Sequence, residues 1–367
     1  MQVKQVAEMT IPLPNLPVSG AAAFVLNTGP LKLAQYVEGY DLVFSGRLTI
    51  ATAAGTAVLP EAPISILRRV TFNMNHSRFK NQFPINLAGS TLWTRAKLFA
   101  GVSPLLFGQT ISDAIGAYDF GVIYPVRFPL EKVIEQEEFA TLMSLPLCTF
   151  AQFVIQVAPP ADLVTPAGTT TFSWSQYGLT TGSPTLSIIR REVNGLGSNP
   201  DTDLVLKQDR VDPMTNNNTL SHSYNNNLPN NADYRLIGIK QYVASAQSPD
   251  TVATLLNPVL PTDTGIPQPQ LLLNGSKPIR DSQNYQAERH HAIEQYGVDP
   301  GPGYHVWDFV TLRGGDRGSA IDALAAESFG RGNVTLNYGG TVNGIASGQA
   351  AIFFDQILRH SEFPSSQ

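Results

Sequence analysis

Apolar and polar residues alternate along much of this chain, in short runs. Tyr40-Asp-Leu-Val-Phe-Ser-Gly-Arg-Leu-Thr-Ile50 places Tyr40, Leu42, Phe44, Leu48 and Ile50 on one face. That is the period-two pattern of a strand with one buried side. Similar runs predict strands near 41–51, 64–75, 118–127 and 147–157, and again near 234–245, 270–274, 304–312, 332–339 and 349–358. Two more, Thr169–Tyr177 and Thr185–Val193, fall between the two sets. Helical spacing is rarer. Leu130, Val133, Ile134 and Leu142 fit a helix over 130–142 that opens on acidic residues. A second helix is predicted over 319–329, with Ser319 as N-cap and Asp322 three residues on. Amphipathic stretches also end at Gly101 and at Gly297. Short strands punctuated by Gly, Pro and Asn predict an all-β sandwich fold rather than a parallel α/β sheet. The chain's 30 Gly and 27 Pro fit that reading, and prolines such as Pro84, Pro125, Pro146 and Pro159 are expected at strand edges.

The pattern is stated twice. Tyr40–Ile50 is followed by Val70-Thr-Phe-Asn-Met-Asn-His-Ser-Arg78; Tyr234–Val243 is followed by Gln270-Leu-Leu-Leu-Asn-Gly-Ser-Lys277. Each pair then leads into an amphipathic segment, a strand, a helix and a strand. The offset of about 200 residues exceeds the roughly 20–50 of a solenoid unit, so the repeat is a whole domain. Residues 1–165 are expected to hold an N-terminal arm and the first domain, and 166–367 a linker and the second. The linker begins stiffly at Pro159-Pro160 and ends in a tract rich in asparagine, from Asn216 to Asn231. Residues 194–232, which include that tract, and residues 247–269, with five prolines, are expected as polar, long peripheral loops.

Composition narrows the function. Charged residues make up 14% of the chain, against roughly 25% in an average soluble protein. A surface so poor in charge suits a protein covered by copies of itself. The net charge of -5 argues against nucleic-acid binding driven by clustered Lys and Arg. The single cysteine, Cys148, excludes an internal disulfide and a zinc–cysteine cluster. No signal-peptide pattern and no apolar run of about 20 residues is visible, so a soluble, cytoplasmically made protein is expected.

Catalytic signals are sparse. His290 and Glu294 have i, i+4 spacing in Glu288-Arg-His-His-Ala-Ile-Glu294, but no third metal ligand stands at a fixed spacing. Glu131, Glu135, Glu137 and Glu138 cluster on what reads as a solvated helix face, not as a glycosidase pair. Asn194-Gly-Leu-Gly-Ser and Gly301-Pro-Gly-Tyr lack the strand–loop–helix order of a phosphate loop, and Gly314-Gly-Asp-Arg-Gly318 reads as a turn before a helix cap. The sequons at Asn217, Asn274 and Asn333 carry little meaning without a secretion signal. Arg68-Arg69 and Arg190-Arg191 offer inter-subunit salt bridges, anion contacts or protection of a sheet edge. No catalytic, cofactor-binding or metal residue is therefore assigned, and no enzyme activity is expected.

Two β-sandwiches in one chain, each with a late helix, resemble the double jelly-roll major capsid proteins of tectivirus-like, internal-membrane phages and of adenovirus. The likeness rests on Tyr40–Ile50 with Tyr234–Val243, on Asn75-His-Ser-Arg78 with Asn274-Gly-Ser-Lys277, on the two late helices and on the closing segment Gly332–Asp355. It covers about 40–367 and contains no single specific motif. The resemblance implies two tandem eight-stranded jelly rolls with short inserted helices. It implies a coat protein whose homotrimers tile an icosahedral shell, located in the virion after synthesis in the host cytoplasm. Implied partners are neighbouring trimers, minor capsid or penton proteins and an internal membrane, with no sequence-specific nucleic acid and no cofactor. The arm, Met1 to about Leu16, would face inward; Lys4 is its only base, too little charge for a strong electrostatic hold on lipid. Two other readings stand beside this one. A spike or carbohydrate-binding protein needs exposed aromatic clefts, and the chain has three tryptophans, Trp93, Trp174 and Trp307. A glycan amidase or glycosidase needs converging acids in a pocket.

Overall fold

The computed structural model describes residues 2–19, 22–33, 36–59, 61–77, 80–98, 104–128, 142–194, 204–215, 226–227, 233–243, 270–273, 277–281, 289–290, 292–294, 297–301, 304–308, 324–325, 334–337 and 348–359. The chain divides into two compact units, one built on Met1–Asp203 and one on Leu204–Pro249 with Asn257–Gln367.

The first unit carries β1 (Gln2–Pro12), β2 (Phe24–Asn27), β3 (Tyr36–Ala51), β4 (Leu67–His76), β5 (Lys80–Leu87), α1 (Gly89–Leu98), β6 (Leu105–Gly108), β7 (Gly116–Arg127), β8 (Cys148–Val157) and β9 (Thr185–Asn194). One sheet runs β1-β9-β3-β7-β6 and the other β5-β4-β8-β2, all neighbours antiparallel. With the short β6 set aside, the eight strands order as 1-8-3-6 and 2-7-4-5. That is a jelly roll, in which each sheet collects strands from both halves of the chain.

Alternation builds its core. Tyr40, Leu42, Phe44 and Leu48 of β3, Val70 and Phe72 of β4, Phe120, Val122 and Tyr124 of β7, and Phe153 and Ile155 of β8 are all fully buried. Rings bridge the two sheets: Tyr40 meets Phe153 at 5.1 Å and Phe72 at 5.9 Å. The helix α1 closes one side, with Trp93 against Tyr124 at 6.2 Å. Gly89 lets it approach β4, because a Cβ there would lie 2.2 Å from the Leu67 carbonyl oxygen.

The second unit carries β10 (Leu204–Thr215), β11 (Asp233–Val243), β12 (Gln270–Leu273), β13 (Lys277–Asp281), β14 (Tyr304–Asp308), β15 (Val334–Asn337) and β16 (Gly348–Arg359), with the two-residue strand Asn226–Asn227 in second place. Within this unit one set of antiparallel pairs runs β10-β16-β11-β14. The other joins Asn226–Asn227 to β15, then β12 and β13. Counted along the unit, these orders are again 1-8-3-6 and 2-7-4-5. The chain is therefore all-β, with two jelly rolls in tandem. Trp307, Phe353 and Phe354 are buried in the second, and Lys240, fully buried, sets its ammonium over the Tyr304 ring at 5.3 Å.

Three stretches differ from the expectations. The expected arm contains β1, which pairs with β9 over Gln2 to Pro12. A register shift between Ala7 and Met9 breaks the period of two and hides the strand in the sequence. Thr185–Asn194, expected in the linker, is β9, the eighth strand of the first jelly roll, so that unit runs well past residue 165. The polar tract from 194 onward contains β10. Its Leu204-Val-Leu run does not alternate, and Pro213 falls in a second shift between Val211 and Met214. The predicted helix over 130–142 lies outside the described residues except for Leu142. Of the one over 319–329, the described pair Leu324–Ala325 is a strand beside Tyr234. Pro84 lies inside β5, opposite another register shift, and Pro125 lies inside β7 beyond the reach of β6.

Candidate functional site

The arginine pairs are resolved by the alternation of the strands that carry them. Arg68 turns inward from β4 and binds Asp162, both side chains 3% exposed. Arg69 turns outward and donates from Nε to Asn86 Oδ1 at 2.6 Å. On β9, Arg190 turns inward between Glu8 of β1 and Glu192, reaching the latter from Nε at 3.0 Å. Arg191 turns outward and donates from Nε to Glu38 Oε2 at 3.0 Å, with Asp41 Oδ2 at 3.8 Å. Asp41 Oδ1 accepts from Arg127 Nη2 at 2.7 Å. Gly39 stands between Arg191 and Arg127 in the ladder, where a Cβ would lie 2.0 Å from the Val126 carbonyl oxygen. Burial lowers the Arg127 pKa below its ordinary value, against the pull of Asp41. Each of these arginines has a partner within its own unit.

The catalytic candidates do not converge. His290 Nε2 lies 3.7 Å from Glu294 Oε1 on a short helix, with the side chains 72% and 66% exposed. His291, Glu131, Glu135, Glu137, Glu138, Gly314–Gly318 and the sequons at Asn217, Asn274 and Asn333 lie outside the described residues. Among the described residues no three His, Cys, Asp or Glu gather as a metal site. Gly301 is a turn residue with φ +95°, its N–H donating to Asp299 Oδ1 at 2.9 Å. Cys148 is buried, and burial pushes its thiol up to about 12, so it is not a ready nucleophile. Trp93 and Trp307 are buried, and Trp174 donates from Nε1 to the Pro17 carbonyl at 3.1 Å.

The arrangement that sequence reasoning missed lies at the β6 end of the first unit. Asp119 of β7 accepts from Arg47 Nε at 2.9 Å and Nη2 at 2.6 Å, and from the Gly178 N–H at 2.7 Å. Its own N–H donates to Gln109 Oε1 at 2.9 Å. The Arg47 guanidinium holds the Asp119 carboxyl below its ordinary range. Asp119 thus fastens two segments to the sheet, 176–179 through its carboxylate and 105–109 through its backbone. Those segments stack Phe107 on Tyr177 at 5.9 Å, and Phe107 lies over Gly121 of β7. They present Leu105 (52% exposed), Leu106 (44%), Tyr177 (38%) and Leu179 (49%) to solvent. The signal was in the sequence: Leu105-Leu-Phe-Gly108 is an apolar run, but too short to distinguish from a buried strand.

No family model matches the sequence, and no curated protein matches it. Solved structures do match in shape. The STIV MCP aligns over 100% of this chain and 100% of its own, with a TM-score of 0.62 and 11% identity. The major capsid protein P2 from Bacteriophage PM2 aligns over 97% of each chain, with a TM-score of 0.52 and 12% identity. PBCV-1 VP54, fitted into a reconstruction of the virophage Sputnik, aligns over 97% of this chain and 93% of its own, with a TM-score of 0.57 and 8% identity. These are double jelly-roll viral major capsid proteins. This chain has the double jelly-roll fold that they share.

Proposed function

We propose that the chain is the major capsid protein of an icosahedral virus. The observation that carries the reading is the same eight-strand order in both units, combined with likeness to such proteins over the whole chain. The sparse surface charge and the absence of converging acids among the described residues agree with a structural role. In this reading copies of the chain associate as homotrimers. Each trimer presents six similar sandwiches, a hexagonal outline suited to tiling a shell. Neighbouring trimers, minor capsid or penton proteins and an internal membrane complete the contacts, and the protein resides in the virion. Light scattering of the purified chain at micromolar concentration tests the first step. A stable trimer is expected, and a clean monomer would contradict the reading.

A further inference from the structure

The strand β1 is joined to its unit unevenly. It lies at an edge of its sheet and, among the described strands, pairs with β9 alone. No residue from Val3 to Pro12 is wholly buried: Val3, Val6, Met9 and Ile11 are half-buried, and the others apart from Glu8 are exposed. The chain changes character at the next residue. Leu13 is 1% exposed and Leu16 is 6% exposed, and the Leu13 N–H donates to the Pro184 carbonyl at 2.8 Å. Apolar burial fixes the segment after β1, whereas β1 itself is held mainly by its ladder.

Glu8 is the exception. It is the extra residue of the bulge between Ala7 and Met9, and its side chain is 2% exposed. Its Oε2 accepts from Arg190 Nη1, and its Oε1 accepts from the Lys32 N–H at 2.8 Å. Lys32 follows the buried Leu31, whose N–H donates to the Ala151 carbonyl of β8 at 2.8 Å. Glu8 thus fastens β1 both to β9 and, through residues 31–32, to the opposite sheet. The bond between Thr10 Oγ1 and Ser187 Oγ, at 3.0 Å, is exposed. If Glu8 withdraws, Arg190 keeps Glu192, 3.0 Å from its Nε. Opening of β1 therefore leaves no buried charge unpaired and returns one carboxylate to water.

We propose that β1 is a strap: residues 2–12 open from β9 as one unit while the rest of the jelly roll stays folded. Glu8 is the latch, and Leu13 with Leu16 anchors the hinge. Opening bares the edge of β9 from Thr185 to Asn194, whose backbone N–H and C=O groups are then free to pair with another extended segment. The motion belongs to a single chain and does not depend on the capsid-subunit reading.

Hydrogen exchange of the full chain at neutral pH, followed by mass spectrometry, tests the strap, with circular dichroism as the check on folding. Ladder-bonded amides of residues 2–12 are expected to exchange at least about 100-fold faster than those of β3 and β7, because local opening precedes global unfolding. Glu8→Ala removes two hydrogen bonds to a charged group, so it is expected to speed exchange of residues 2–12 by at least a further ~10-fold and to leave β3 and β7 within about 3-fold. Glu8→Gln keeps an acceptor for the Lys32 N–H and should fall between, and it decides the latch if Glu8→Ala fails to fold. Exchange of residues 2–12 in step with β3 and β7 in the wild type overturns the strap, whatever the variants do. Folded Glu8 variants that exchange as the wild type does, or that speed all three strands equally, overturn the latch.

Discussion

Removing the carboxylate of Asp162 should unbalance the interior of the first jelly roll more than any other single polar change. Asp162 lies in the turn after β8 and binds Arg68 at the start of β4, with both side chains 3% exposed. Asp162→Ala takes a carboxylate partner from the buried guanidinium, a loss that typically costs about 3–5 kcal/mol. In a unit of this size about 1 kcal/mol moves Tm by roughly 2–4 °C, so a fall of about 6–20 °C is expected. The pair itself should contribute little. Burial pushes the Asp162 carboxyl above its ordinary range despite Arg68, so desolvation outweighs the attraction. Arg68→Met with Asp162→Leu should therefore recover most of the lost stability. Urea denaturation followed by tryptophan fluorescence, at one protein concentration, measures all three chains. A loss below about 1 kcal/mol for Asp162→Ala would refute the burial argument.

Phe72→Ala should cost about 3–5 kcal/mol in the same assay, because it empties the cluster of Tyr40, Phe128 and Phe153 between the sheets; a loss under about 1 kcal/mol would contradict that core. Thr52, at φ 70°, is a β-branched residue in the left-handed region, so Thr52→Asn should raise stability by up to about 1 kcal/mol, and a fall in Tm would count against strain there. Asp119 titrates below its ordinary value in the fold, so its contribution is complete above the unfolded pKa and is lost as pH falls through the depressed folded one. Unfolding measured from pH 7 down to 2 should show this loss in the wild type and a smaller one in Asp119→Asn; identical acid profiles would contradict it. A glycan- and peptide-hydrolysis screen with added metals should give background rates for the wild type and for His290→Ala with His291→Ala alike, and turnover abolished by the double variant would restore the enzyme reading.

The repeat was legible because the third strand of each unit is a long alternating run and is followed by a short apolar strand leading into an Asn-x-Ser phrase. Tyr40–Ile50 and Tyr234–Val243 are the third strands, and the two Asn-x-Ser phrases stand at the ends of the fourth strands. What escaped is what breaks period two. Bulges interrupt β1 and β10, and β5 contains Pro84 within its own shift. β9 was visible as a strand, but its membership of the first unit depends on pairing with β1 and β3 across nearly the whole unit, which local pattern does not carry. Strand alternation also explains why Arg68-Arg69 and Arg190-Arg191 each split into an inward and an outward residue. Their partners, Asp162, Glu8 and Glu38, are far away in sequence, so only the fold identifies them. The Asp119 surface depends on three segments meeting, and no one of them is distinctive alone.

Electron microscopy of particles that carry this chain is the most direct test of the central claim. The account predicts that this chain forms the lattice over the faces of an icosahedral shell. Each capsomer should hold three copies, and each copy should trace two jelly rolls with strand orders 1-8-3-6 and 2-7-4-5. Density for this chain confined to projections at the vertices, or absent from the shell, would contradict it.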